Sequence, residues 1–172
     1  MLLGRDEIDP NAQNDNGQTP LHSAAGSGHE GVVQMLLAQD DIDPDTRDDY
    51  GQTPLHHAAR YGHEGVMEML LAQDDIEPNK PDNHGQTPLL LAIESEYEGV
   101  AQILLGRDNI DPNKADNKGR TPLLITAGYG EEELVNMLLE RDDINPDIRY
   151  GGPNSSIPGC FAWARGHSKN IT

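Results

Sequence analysis

The chain has 172 residues with 12 Lys plus Arg against 30 Asp plus Glu, a formal net charge of -18. That balance excludes a nucleic-acid partner held by clustered cations, and it disfavours an anionic membrane surface. The lone Cys160 cannot form an internal disulfide, and no apolar run approaches the roughly 20 residues that span a bilayer. Only 4% of the residues are aromatic, which suits thin layers filled by Leu, Val and Ala better than one thick core.

One block recurs along the chain at a step of 34 residues, which points to stacked repeats rather than a single globule. Gly17, Gly51, Gly85 and Gly119 each open the string Gly-(Gln or Arg)-Thr-Pro-Leu, and Ile8, Ile42, Ile76, Ile110 and Ile144 keep the same interval. So do Pro10, Pro44, Pro78, Pro112 and Pro146. Within a period, Thr19, Thr53, Thr87 and Thr121 stand before a proline. This places a hydroxyl at an N-cap and Pro at the first helical position, where its missing N–H costs nothing. The short helix that follows is expected to end at Gly28 and Gly62 in the first two repeats. A second helix carries apolar pairs four apart, Val32 with Leu36, Val66 with Leu70, Val100 with Leu104 and Leu134 with Leu138, which predicts one core-facing stripe. After Leu37, Leu71, Leu105 and Leu139 the chain turns polar around one isoleucine and cannot continue as helix. No such unit buries its apolar faces alone, so neighbouring units must supply the core.

The segments GQTPLHSAAGSGHEGVVQMLL from Gly17 and GQTPLHHAARYGHEGVMEMLL from Gly51 resemble ankyrin repeats, whose signature is TPLHxA. The resemblance implies an all-α solenoid of stacked helix-turn-helix units with β-hairpin-like fingers. It divides the chain into a partial repeat over 1–15, full repeats over 16–49, 50–83, 84–117 and 118–150, and a degenerate half repeat over 151–172. MLLGRDEIDPN at Met1 parallels the end of a second helix, and IPGCFAWARGH from Ile157 aligns with TPLLITAGYGE from Thr121 at a step of 36. Three departures stand out. The family's usual Gly-Ala-Asp after the second helix gives way to Asp-Asp-Ile-Asp and variants. Leu90 and Leu124 replace the motif histidines His22 and His56. Glu96 sits where Gly28 and Gly62 sit, and a non-glycine residue at positive φ costs about 1 kcal/mol, which predicts a rearranged turn there.

Chemistry-bearing residues form no catalytic set. His22 and His56 belong to the motif, where the ring is expected to brace neighbouring turns, and His29 and His63 open second helices. His57 and His84 lie outside the motif and outside any metal-ligand spacing such as H-E-x-x-H. The Asp-rich stretch DDIDPDTRDD from Asp40 lacks the register of a calcium loop and reads as solvated acidic loop. Cys160, between Gly159 and Phe161 and near Trp163, carries no nucleophile motif, and the glycines are spaced for turns rather than for phosphates. No enzyme activity, cofactor or metal is expected.

The resemblance implies that finger tips and the inner face of the first helices line a concave groove. The tips map to Asp15 and Asn16, Asp49 and Tyr50, Asn83 and His84, and Asn117 and Lys118. The helix positions map to Gly26 and Ser27, Arg60 and Tyr61, Glu94 and Ser95, and Gly128 and Tyr129. The partner-binding set is therefore Asp49, Tyr50, Arg60, Tyr61, Asn83, His84, Ser95, Asn117, Lys118 and Tyr129. Tyr and Arg are favoured because they dominate binding hot spots. The expected function is a non-catalytic module binding a protein or peptide with a basic patch, inside the cell in cytoplasm or nucleus, without nucleic acid or membrane. Two alternatives are an excised targeting segment of a larger enzyme or receptor, and a scaffold that self-associates weakly through exposed repeat ends.

Overall fold

A computed structural model describes residues 9–145. Eight helices follow one another as four pairs: α1 (Pro20–Gly26) with α2 (Glu30–Leu37), α3 (Pro54–Tyr61) with α4 (Glu64–Leu71), α5 (Pro88–Glu94) with α6 (Glu98–Leu105), and α7 (Pro122–Tyr129) with α8 (Glu132–Glu140). Each first helix starts where the threonine-proline pair places it. The Thr19, Thr53, Thr87 and Thr121 backbones are extended, and proline follows at the first helical position. Leu90 and Leu124 donate their backbone N–H to the hydroxyls of Thr87 and Thr121 at 3.3 and 3.2 Å.

The pairs stack in two rows. The row α1, α3, α5, α7 packs neighbour to neighbour, and so does the row α2, α4, α6, α8. The core runs continuously between the rows through Leu21, Leu55, Leu89, Met67, Leu70, Leu104, Leu134 and Leu138. Ile110 is buried, and Ile42, Ile76 and Ile144 pack partly buried against the same core, so the isoleucine in each loop anchors it to the stack. The second-helix stripe holds at Val66, Val100 and Leu134, all 2% exposed or less, but Val32 is 41% exposed. Val32 lies in the first described helix pair, and no earlier described pair covers it.

Four expectations need correction. No strand occurs among the described residues, and the fingers are tight turns rather than β-hairpins. The first helix stops at Gly26 with Ser27 as its cap, and Gly28 takes its φ of 69° one residue later, whereas α3 does end on a left-handed Gly62. The turn at Glu96 is not rearranged, because Glu96 itself adopts a φ of 60°. The Asp-rich loops are not simply solvated: Asp45, Asp48, Asp82 and Asp116 are buried. The readings for Met1 to Ile8, for Pro146, and for the half repeat with Cys160, Phe161 and Trp163 lie outside the described residues.

Candidate functional site

The finger tips are built from one side chain repeated every 34 residues. Asn14, Asp48, Asp82 and Asp116 each use Oδ1 to accept two backbone N–H groups, two and four residues on. The distances run from 2.8 to 3.0 Å. That arrangement closes the turn locally, as short acidic and amide side chains do in Asx turns. The turn then needs positive φ, which Gly17, Gly51, Gly85 and Gly119 supply at 73° to 77°.

Adjacent tips are bonded to one another. The backbone N–H groups of Asp49, Asn83 and Asn117 donate to the carbonyls of Asn16, Tyr50 and His84 at 3.0, 3.0 and 2.9 Å. Side chains add a second rail, in which Asn83 Nδ2 donates to the Asp49 carbonyl at 3.0 Å and Asn117 Nδ2 to the Asn83 carbonyl at 3.1 Å. Two of the expected partner-binding residues, Asn83 and Asn117, therefore already use their amides to join fingers.

Beneath the tips, His22 and His56 brace the stack. The Thr19 backbone N–H and hydroxyl face His22 Nδ1 at 3.1 and 2.9 Å, so Nδ1 is the acceptor and the proton sits on Nε2. Nε2 then donates to the Gln52 carbonyl of the next repeat at 3.0 Å. His56 repeats this with Thr53 and with the Gln86 carbonyl at 3.1 Å. Burial disfavours the charged form of both rings and pushes His56 down to about 4.

The remaining predicted residues divide by exposure. Tyr50 is 59% exposed, and Tyr61 and Tyr129 are each 51% exposed. His84, Lys118 and Asp49 are exposed, while Ser95 is half-buried and caps α5 through its backbone N–H. Arg60 is half-buried, and its Nε is buried without a hydrogen-bond partner among the described residues.

Two groups escaped the sequence reading. Arg120 replaces the glutamine of the repeated string and bonds Asp116 through Nε at 2.7 Å and Nη2 at 2.6 Å; it also pairs with Glu94, which receives Gln86 as well. The signal was present, since Gln18, Gln52 and Gln86 precede Arg120 at the 34-residue step. The second is the pairing of His57, noted in the sequence only as lying outside the motif, with Asp48: His57 Nε2 meets Asp48 Oδ2 at 3.0 Å, with the His22 ring edge-on at 5.3 Å. Burial alone would raise the Asp48 carboxyl, but bonds from His57 and from the Gln52 and Tyr50 N–H groups outweigh it and hold it below the usual range. His22, Asp48 and His57 place one potential ligand atom each within 4.8 Å of the others. Both His22 nitrogens are already bonded, so metal ligation would break the brace to Thr19 or Gln52.

Among the described residues no helix is long and apolar enough to cross a membrane. Three overlapping stretches, residues 1–82, 42–116 and 75–150, match the family model for ankyrin repeats. No curated protein matches the chain. The chain belongs to the ankyrin-repeat family, whose members are generally protein-interaction modules on a typically non-catalytic fold.

Proposed function

We propose that this ankyrin-repeat chain is a non-catalytic module that holds a protein or peptide on the face made by its finger tips and the inner ends of its first helices. One observation carries the reading. Tyr50, Tyr61 and Tyr129 stand exposed on a scaffold whose other large side chains are mostly buried, and Arg60 beside Tyr61 keeps a buried Nε without a bond among the described residues. Large aromatic and guanidinium groups of this kind anchor interfaces. The net charge of -18 steers a basic partner at long range, yet the described acidic residues concentrate in the loops after the second helices, such as Asp40, Asp41, Asp74 and Asp75. A partner with a basic patch would therefore engage the edge as well as the tips.

The test is capture on immobilised chain at moderate salt, with wild type and the Tyr61→Ala and Tyr129→Ala chains compared as baits. A binder retained by wild type should weaken by about 2 kcal/mol when Tyr61 is truncated. Equal retention by all three baits removes this face from consideration.

A second reading, weak self-association, draws on Val32 and Met35, which are 41% and 63% exposed at the first described helix pair. Light scattering over a concentration series distinguishes it, and a monomer throughout rejects it.

A further inference from the structure

Positions 11, 45, 79 and 113, again 34 apart, tie each acidic loop to the next. At three of them the residue is asparagine, and the tie has two halves. Asn11 Nδ2 donates to the Asp41 carbonyl at 2.7 Å, and its Oδ1 accepts the Asp43 N–H at 2.9 Å. Asn79 does the same with the Asn109 carbonyl at 2.6 Å and the Asp111 N–H at 2.8 Å. Asn113 does so with the Asp143 carbonyl and the Asn145 N–H, both at 2.7 Å. A planar amide carries one donor and one acceptor side by side, which is what the two halves demand.

At the fourth position the amide is replaced by the carboxyl of Asp45. Its Oδ2 takes the acceptor half, receiving the Glu77 N–H at 3.3 Å, 32 residues on as in the other three. Lys80 Nζ also reaches Oδ2, at 2.9 Å. Oδ1 is left with the place of the amide nitrogen, which in the other three ties meets the carbonyl 30 residues on; the same register makes that carbonyl Asp75 here. Oδ1 is buried and has no hydrogen-bond partner among the described residues, in a residue only 8% exposed. Two acceptors set against each other without a proton repel, and a buried unsatisfied oxygen is costly.

We propose that Asp45 is a proton-operated clasp between the loops that follow α2 and α4: protonated on Oδ1 it donates to the Asp75 carbonyl and reproduces the asparagine tie, and deprotonated it halves the tie and loosens that junction.

The groups facing Asp45 are Lys80 and Glu77 from the following loop and Asp43 from its own, whose Oδ1 accepts the Asp45 N–H at 2.9 Å. Burial is the largest influence and raises the carboxyl; Lys80 and the Glu77 N–H pull it down, the Glu77 charge pushes it up, and the balance lies above the ordinary carboxylate range. The sign follows from linkage. A carboxyl raised in the folded state contributes its stability fully below its unfolded value of 3.8, and loses it as the pH rises through the folded value. The asparagines at 11, 79 and 113 do not titrate, so among these four ties only this one responds.

Two measurements on the full chain decide the matter. The carbon resonance of the Asp45 carboxyl, followed by NMR from pH 3.5 to 8, should titrate with a midpoint clearly above the ordinary value of about 3.9. A midpoint at or below that value overturns the proposal. Urea unfolding of wild type and Asp45→Asn should show the variant's unfolding constant smaller by roughly tenfold at pH 7, with the advantage narrowing towards pH 4. An advantage of equal size at both pH values, or a loss at pH 7, also overturns it, because the Lys80 ion pair rather than the missing donor would then govern the site.

Discussion

The histidine brace makes a prediction whose size follows from one ring. His56 is wholly buried, with Thr53 on Nδ1 and the Gln86 carbonyl on Nε2. Burial is the main cause of its depressed proton affinity; nearby His57 and Arg47 add to it, and Asp82 and the Gln86 carbonyl oppose it. Protonation would put a hydrogen on Nδ1, where it would face the Thr53 N–H and abolish that bond. The folded ring accepts a proton at about 4, against 6.5 when unfolded. The unfolded chain therefore binds more protons between these values, and the stability from neutral His56 is present above 6.5 and lost as the pH falls towards 4. A gap of about 2.5 pH units at 1.36 kcal/mol each amounts to about 3 kcal/mol, of which about 2 kcal/mol is gone by pH 5. The control is His56→Leu, since leucine stands at the equivalent positions 90 and 124. Urea unfolding of both proteins from pH 8 to 4 should show the stability of wild type relative to His56→Leu falling by that amount. NMR of the His56 Cε1 proton should give a midpoint near 4. A midpoint near 6.5, or a stability difference flat across the window, refutes the reasoning.

Two further outcomes test the stack. Gly62 has a φ of 75°, and a Cβ there would run into the Tyr97 ring, so Gly62→Ala should cost about 2 kcal/mol or more in thermal unfolding. Gly130 has a φ of 79° with nothing among the described residues within 4 Å, so Gly130→Ala isolates the backbone part, about 1 kcal/mol; equal losses at the two sites would show that the Tyr97 ring does not matter. Asp82→Ala removes the acceptor for the His84 and Gln86 N–H groups and for Gln52 Nε2, and should cost about 1 to 3 kcal/mol in urea unfolding. Asp82→Asn, which restores the side chain found at position 14, should recover most of it, and a loss as large as that of alanine would refute the Asx-turn role.

Most of the fold was legible because its signals are local. A threonine before a proline, an apolar pair four apart and a glycine at a turn each act within a few residues, and repetition at 34 multiplies them. What escaped depends on contacts between repeats. Gly28 lies under the His63 ring and Gly62 under the Tyr97 ring, so a Cβ at either would meet that ring as well as strain the backbone. Thirty-five residues beyond Glu96 the chain has Glu131, not a ring. The side chain at 96 thus bears only the cost of its φ, and the turn keeps its shape. The error over the acidic loops has the same origin. Asp48, Asp82 and Asp116 look like solvated charge in composition, but each sits on the 34-residue step at a position whose Oδ1 serves two backbone donors. Periodicity had already marked them as structural.

The same ladder bears on the proposed partner face. Exposure alone would make every tip residue equally eligible, yet Asn83 and Asn117 bridge to the preceding tip, and the Asp49 carbonyl receives one of those bridges. Their backbone is ordered before any partner arrives, so binding need not supply the ordering cost of a loose loop. What remains adjustable is Tyr50, Tyr61 and Tyr129, together with Arg60. Each tyrosine offers a large rigid surface at the expense of two rotatable bonds. Mutating Asn83 should therefore act first on the stability of the stack and only through it on binding, whereas truncating Tyr61 should leave the unfolding midpoint nearly unchanged and act on binding directly. The two substitutions separate a scaffold residue from a proposed contact residue within one finger-and-helix unit.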